Sequence, residues 1–287
     1  MNILLAVDGS DTSFYATQAL AHLPPADKLV VLHVLDVPNP AYPMLVPEVA
    51  RDLYATVERE MRKEGVRVLE QALAFLPLHT GPADKRLELG PPSDVILTVA
   101  DVERAHLIVL GARGLGAIKE LLLGSVSHRV LTHAACPVLA VRNPLRSLKR
   151  ILLAVQGPDD AELIVQFLSK HPFRNPVEAR VLTVLPFTQP VWPTAAMIPE
   201  SLRKDMAARA KQFADGVAAQ LDARHYRATG DVVEGAPAPE IIHAAASHQA
   251  DLIVMGSRGR KGLSRVALGS VSHAVTHHAP CAVLVVR

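Results

Sequence analysis

A glycine motif occurs twice in the chain, and each copy is followed at the same distance by a glycine–serine pair. The first copy is Gly111–Gly114 with Gly124-Ser125, and the second is Gly256–Gly259 with Gly269-Ser270. Glycine permits positive φ angles and lets the backbone approach an anion closely. The free N–H groups and the dipole at the start of a following helix favour negative charge. The duplicated spacing therefore predicts phosphate binding, with the serine hydroxyls as further donors. A tight turn with an ordinary serine helix cap is the alternative for either copy alone.

Each motif lies between a segment that predicts a β-strand and one that predicts an α-helix. The preceding runs, Leu107–Leu110 and Leu252–Met255, are continuously apolar, which is typical of strands buried on both faces of a parallel sheet. Strands and helices alternate throughout, and this predicts doubly wound α/β domains with parallel crossovers. The predicted strands are 2–7, 28–35, 84–89, 107–111, 137–142, 150–155, 178–185, 226–234, 252–256 and 282–286. The predicted helices are 12–22, 47–76, 92–103, 125–134, 159–170, 199–223, 238–248 and 270–278.

The alternation repeats because the sequence itself is duplicated. Ile3–Val7 matches Ile151–Val155, and Cys136–Arg142 matches Cys281–Arg287. A repeat of this length is a duplicated domain, since solenoid units are much shorter. The sequence predicts two domains, 1–143 and 144–287, with the boundary just after the last strand of the first half.

The composition argues against several classes of protein. The formal net charge is only +2, which disfavours a nucleic-acid partner held by phosphate neutralisation. No apolar run approaches the roughly 20 residues of a membrane span. The first residues lack the charged region of a signal peptide, and two cysteines provide no disulfide framework. We therefore expect a soluble cytoplasmic protein without a nucleic-acid or membrane partner.

The residue that directly follows the first strand differs between the two halves. Asp8 follows the strand in the first half, and Gln156 takes that position in the second. A carboxylate only accepts hydrogen bonds, whereas the glutamine amide both accepts and donates. We therefore expect the halves to differ in how they contact a ligand here. The alternative for Asp8 is a structural carboxylate that belongs to a turn or caps the next helix, beside Ser10 and Thr12.

Together with Ala6–Ser10, the glycine motif resembles the ATP-binding branch of the universal stress protein family, and the similarity covers the whole chain as a tandem pair. The resemblance implies a five-stranded parallel sheet flanked by helices in each half, and an internal pseudo-dimer paired through the last strands. A further homodimer is left open. The implied ligand is ATP with Mg²⁺. The implied contacts in the first half are Asp8, Val34, Gly111, Gly114, Gly124, Ser125, Val126 and Ser127. Those in the second half are Gln156, Val184, Gly256, Gly259, Gly269, Ser270, Val271 and Ser272.

We interpret the chain as an ATP-binding regulatory protein of the stress response, in which the nucleotide orders loops for an unidentified protein partner. One alternative is an enzyme that slowly cleaves ATP or transfers an adenylyl group. Against it, Val126 and Val271 stand where a phosphate-binding lysine would follow the Gly-Ser pairs. The other alternative is an interaction module with empty sites. The sequence predicts no catalytic residues and no metal site, because His273 and His277 lack further ligands for zinc.

Overall fold

The computed structural model describes residues 1–37, 47–114, 123–170, 172–186, 199–224, 226–257 and 268–287, with the backbone alone for 47–50. Contacts divide the chain into two compact units. The first comprises Met1–Ala21 and Pro25–Pro144, and the second comprises His22–Pro24 and Leu145–Arg287. Each unit is an α/β structure, as the duplicated pattern of strands and helices predicts.

The first unit contains one five-stranded sheet in the order β3-β2-β1-β4-β5. Its neighbouring strands are parallel in all four pairs. The strands are β1 (Asn2–Ala6), β2 (Lys28–Leu35), β3 (Ala83–Leu89), β4 (Leu107–Gly111) and β5 (Val138–Val141). The helices are α1 (Asp11–Ala19), α2 (Pro47–Ala74), α3 (Pro92–Val102) and α4 (Ser125–His133). Helix α1 packs on β4, and α2 packs on β2 and β3.

The second unit repeats this arrangement, with the strand order β8-β7-β6-β9-β10. Its four neighbouring pairs are again parallel. The strands are β6 (Arg150–Ala154), β7 (Glu178–Leu185), β8 (Arg227–Glu234), β9 (Leu252–Gly256) and β10 (Ala282–Val286). The helices are α5 (Pro158–Leu168), α6 (Glu200–Asp222), α7 (Pro237–Ser247) and α8 (Ser270–His278). The predicted five-stranded parallel sheets are therefore confirmed, whereas the pairing of the halves as a pseudo-dimer stays a prediction.

Burial explains why the apolar runs form the central strands. Every residue of β4 and β9 is buried, so neither strand shows the alternation of a sheet with one solvated face. The strand order reverses between β1 and β4 in the first unit and between β6 and β9 in the second. A doubly wound sheet has its crevice at the carboxyl ends of the strands at such a reversal. Asp8 follows β1 and the first glycine motif follows β4, so the two flank this crevice.

The sequence-based boundaries lie close to the observed ones. The largest difference is in α1, which we predicted to reach residue 22 and which ends at Ala19, where a 3₁₀ turn takes over. Among the described helices, none combines the length and the apolar character that crossing a membrane requires.

Candidate functional site

A cavity of about 750 Å³ opens at the carboxyl ends of the strands in the first unit. Its walls come from the end of β1, the second half of β2, one side of α2, the start of α3, the glycine motif and the start of α4. The cavity includes all eight residues that the sequence predicts as a site in this half. These are Asp8, Val34, Gly111, Gly114, Gly124, Ser125, Val126 and Ser127. Folding thus brings the strand-end acid and the glycine motif to one place.

Helix α2 forms a wall of the cavity that sequence reasoning missed. Met61, Gly65 and Val68 line it, and their spacing of four and three residues puts them on one side of the helix. Gly65 allows the helix to approach the sheet, because a Cβ there would lie 2.7 Å from Cδ1 of Leu87 and 3.0 Å from Cδ2 of Leu35. A glycine inside an otherwise good helix sequence was the available signal for this close approach.

Asp8 makes one structural contact within its own turn and another with the glycine motif. Its Oδ1 accepts hydrogen bonds from the Ser10 amide at 3.0 Å and the Ser10 hydroxyl at 2.6 Å. A Cβ added to Gly114 would lie 2.5 Å from Asp8 Oδ2. The residue that caps α1 is Ser10, whose side chain accepts from the Ser13 amide. The alternative role of Asp8 as a turn carboxylate is therefore observed, whereas its role as the helix cap is wrong.

The turn after β1 also fastens the loop after β4. The hydroxyl of Thr12 donates to the carbonyl oxygen of Arg113 at 2.5 Å, and Ser10 Oγ lies 3.3 Å from the same oxygen. A Cβ on Gly111 would lie 2.7 Å from both the Ser13 amide nitrogen and Thr12 Oγ1. Thr12 thus fixes the backbone at Arg113, a role that the sequence pattern alone did not indicate, since the Ser10 hydroxyl proton is already donated to Asp8.

Glycine is needed in the motif because the backbone there lies close to neighbouring atoms, and not because the backbone angles are unusual. The expected positive φ is wrong for Gly124, whose φ is −71°. Gly111 and Gly114 are likewise not among the residues with positive φ, whereas Gly9 in the turn after β1 has a φ of 84°. The glycines at 111 and 114 are needed because a side chain would collide with the turn after β1.

Hydrogen-bond donors are concentrated at the end of the cavity formed by α4 and Arg113. The first N–H groups of a helix have no partner within it, and the helix-capping residue Gly124 supplies no side chain. The hydroxyl of Ser127 already donates to the Gly111 carbonyl at 2.7 Å, so only the backbone N–H of this residue is left for a ligand. Nε of Arg113 is buried and has no hydrogen-bond partner among the described residues. These donors fit an anion such as phosphate.

The apolar end of the cavity lies beside the ends of β1 and β2. Val7, Leu32, Val34 and Val68 contribute to it. The Nδ1–H of His33 donates to the Val7 carbonyl at 2.7 Å, since a carbonyl can only accept. This bond joins the ends of the two strands immediately before Asp8. The cavity lining therefore combines apolar side chains from β1, β2 and α2 with the donors at Arg113 and α4, and it also includes the acids Asp36 and Glu64.

The second unit repeats the helix-start geometry. Gly269 caps α8 with a φ of −65°, and its amide donates to the Ser257 carbonyl at 2.8 Å. Ser272 Oγ donates to the Gly256 carbonyl at 2.8 Å, and Ser270 and Val271 begin the helix. Val184 is buried on β7. Gly259, which the sequence also assigns to this site, lies outside the described residues.

The turn after β6 departs from its counterpart in the first unit. Gln156, in the position of Asp8, is exposed. Its amide and that of Gly157 donate to the carboxylate of Asp160 at 2.7 and 2.8 Å. Burial raises the pKa of the Asp160 carboxyl, and the backbone N–H bonds oppose that shift. This turn is thus organised around a carboxylate on the helix, whereas in the first unit the carboxylate lies at the strand end.

Comparison with known proteins identifies the family. Residues 1–142 and 147–287 each match the model of the universal stress protein family. Universal stress protein YxiE of Bacillus subtilis (strain 168) is 36% identical over 147 residues, which is 49% of this chain and 97% of that protein. A universal stress protein of Mycobacterium tuberculosis (strain ATCC 25618 / H37Rv) is 28% identical over 313 residues, covering 99% of this chain and 96% of its own length.

A solved structure shares the fold over the full length. A universal stress protein from Archaeoglobus fulgidus DSM 4304 superposes with a TM-score of 0.64 at 20% identity, covering 99% of this chain and 97% of that one. At this level of identity the likeness concerns the fold. Because the family model matches almost the whole sequence in two copies, the chain belongs to the universal stress protein family, with two of its domains in tandem.

Proposed function

We propose that the first unit binds ATP in the cavity at the carboxyl ends of β1, β2 and β4. The observation that carries this proposal is the buried Nε of Arg113, which has no hydrogen-bond partner among the described residues and lines the same cavity as the start of α4. A buried unpaired donor on a charged group is costly. A triphosphate at this point would satisfy the guanidinium and the free helix N–H groups together.

The size and the polarity of the cavity support a whole nucleotide as the ligand. About 750 Å³ falls within the range of roughly 300–1,000 Å³ that is usual for small-molecule sites. The base fits the apolar end beside Val7 and Val34, and the phosphates fit the end at Arg113. Asp8 lies beside Gly114 in the cavity lining, and its carboxylate accepts hydrogen bonds from ribose hydroxyls in this proposal. Mg²⁺ bound with the nucleotide would neutralise part of the phosphate charge.

The nucleotide acts in this proposal as a regulatory ligand. Its phosphates hold Arg113, Gly114 and the start of α4 and thereby set the surface that a protein partner recognises. The chain's own residues bind and orient the nucleotide, and none is assigned a bond-breaking role. Slow ATP cleavage remains the alternative function, and it is measured in the same experiment as release of ADP.

The test is calorimetric titration of the full chain with ATP and with adenosine. Arg113→Ala should weaken ATP binding by about tenfold or more, because it removes a charge-assisted contact, and it should leave adenosine binding unchanged. Arg129→Ala is the matched control, since Arg129 lies on α4 but is exposed and pairs with Asp94. Absence of ATP binding by the wild type, or equal losses for ATP and adenosine in Arg113→Ala, would overturn the proposal.

A further inference from the structure

The two units differ most in the turn that leads from the first strand to the first helix. We propose that this difference confines ATP to the first unit, so that one chain binds one nucleotide, and that Thr12 is the positioning residue responsible. The inference rests on the proposed function, because it concerns where in the chain the nucleotide binds.

In the first unit, this turn fixes the donor-rich end of the cavity. Gly9, with a φ of 84°, reverses the chain so that α1 starts at Asp11 under the cap of Ser10. Thr12 then donates to the Arg113 carbonyl at 2.5 Å. The peptide that carries this carbonyl also carries the amide of Gly114, and the Arg113 side chain starts at the same point. Thr12 therefore affects phosphate binding indirectly, by fixing the position of Arg113.

In the second unit, the corresponding turn has neither the positive φ of Gly9 nor the hydroxyl groups of Ser10 and Thr12. Gly157 is extended, with a φ of −167°, and α5 starts one position earlier, at Pro158. Pro158 stands in the position of Ser10, and Asp160 stands in the position of Thr12. Proline has no donor, and an ionised carboxylate only accepts hydrogen bonds. The second unit thus lacks the hydroxyl donor that holds the loop in the first.

The carboxylate of Asp160 is also committed to the turn itself. It accepts from the amides of Gln156, Gly157 and Ala161 at 2.7, 2.8 and 3.1 Å. These bonds cap α5 and hold the negative charge at the strand end, next to the exposed Gln156. Asp160 therefore does not replace Thr12 as a donor to the loop that follows the fourth strand.

The second strands of the two units, β2 and β7, also differ beside this turn. His33 of β2 donates to the Val7 carbonyl at 2.7 Å and so joins the ends of β1 and β2. Thr183 occupies the corresponding position on β7, and its hydroxyl is buried without a hydrogen-bond partner among the described residues. The contact that holds the strand end before Asp8 therefore has no side-chain equivalent at Thr183. This observation is independent of the turn and favours the same asymmetry.

The stoichiometry of ATP binding to the full chain is the first measurement. Titration calorimetry and native mass spectrometry should give one ATP per chain. Ser125→Asp places an acid at the first position of α4, where it stabilises the helix but repels phosphate, and this variant should bind none. Two ATP in the wild type, or one remaining in Ser125→Asp, would overturn the inference and leave the proposed function intact. No binding by the wild type would overturn the proposed function itself.

The role of Thr12 is tested by removing only its hydroxyl. Thr12→Val keeps the β-branched shape and should weaken ATP binding about tenfold, with a small change in melting temperature. Thr12→Ser restores the donor and should restore the affinity. Thr17→Val is the matched control, because Thr17 lies on α1 and donates within its own helix to the Ser13 carbonyl. Unchanged affinity in Thr12→Val, or an equal loss in Thr12→Ser, would show that the hydroxyl does not position the loop.

Discussion

A Cβ on Gly114 would lie 2.5 Å from Oδ2 of Asp8, which is closer than nonbonded atoms approach. The other oxygen of this carboxylate is held by the amide and the hydroxyl of Ser10, so the side chain has little freedom to move aside. The glycine after β4 and the acid after β1 are therefore one structural unit. The need for glycine at position 114 comes from its neighbour, since its backbone angle is not positive.

This contact predicts non-additive effects on stability. Gly114→Ala should lower the free energy of unfolding by about 1–3 kcal/mol, the usual cost of overpacking. In an Asp8→Ala background the same substitution should cost less, because the atom that the new methyl group meets is gone. Chemical denaturation of the four proteins in this double-mutant cycle measures the coupling. Equal costs in both backgrounds would mean that the two residues do not compete for space.

The sequence predicted the order of elements and eight of the residues that line the cavity of the first unit, because local patterns carry both. Continuous apolar runs specify buried parallel strands, and a strand reversal then places the residues that follow β1 and β4 together. The duplicated spacing pointed to Gly111–Gly114, and the resemblance to the family pointed to Asp8. Tertiary contacts could not be predicted, because no local pattern shows that Thr12 meets a carbonyl 101 positions away or that α2 lines the cavity.

The two glycines inside long helices should respond oppositely to alanine. At Gly65 a Cβ would lie 2.7 Å from Leu87 Cδ1 and 3.0 Å from His33 Cδ2, so Gly65→Ala should push α2 from the sheet and cost about 1–3 kcal/mol. At Gly216 on α6 a Cβ would meet nothing within 4 Å. Gly216→Ala should therefore stabilise by about 0.5–1 kcal/mol, because alanine favours the helix.

Thermal and chemical unfolding of the two variants check this pair. Gly65→Ala should also weaken nucleotide binding, since the helix that moves is a wall of the cavity. Stabilisation by Gly65→Ala would contradict the close approach of α2 to β2 and β3.

Glu103 at the end of α3 should make stability depend on acid pH. Its carboxylate is buried, pairs with Lys28 at 2.6 Å and also pairs with Arg86. The hydrogen bond from Lys28 and the charge of Arg86 hold the pKa of Glu103 below its usual range, against the opposing effect of burial. The folded state therefore favours the ionised form more than the unfolded state does.

The sign of the pH effect follows from this shift. An unpaired glutamate titrates at about pH 4.3, so the stabilisation by Glu103 is complete above that pH and is lost as the pH falls through the lower pKa of the folded state. Wild type should be more stable than Glu103→Gln at pH 7, and the difference should shrink below about pH 4.3. Urea denaturation across this range measures it, with Glu70→Gln, an exposed position on α2, as the control. A difference that does not depend on pH would refute the assignment.

The buried hydroxyl of Thr183 should be a source of instability in the second unit. Its Oγ1 has no hydrogen-bond partner among the described residues, and the residue is 5% exposed. Leaving a polar group buried and unpaired costs about 1–3 kcal/mol. Valine has nearly the same shape without the hydroxyl, so Thr183→Val should raise the free energy of unfolding by about 1 kcal/mol. For a chain of this size that corresponds to an increase of about 2–4 °C in melting temperature.

Thr17→Val provides the comparison for Thr183→Val. Thr17 is fully buried, but its hydroxyl donates to the Ser13 carbonyl at 3.0 Å. Removing it therefore loses a hydrogen bond and should lower stability by about 1 kcal/mol. Calorimetric unfolding of both variants should thus show melting temperatures that move in opposite directions. A loss of stability in Thr183→Val equal to that in Thr17→Val would mean that the Thr183 hydroxyl is satisfied in solution.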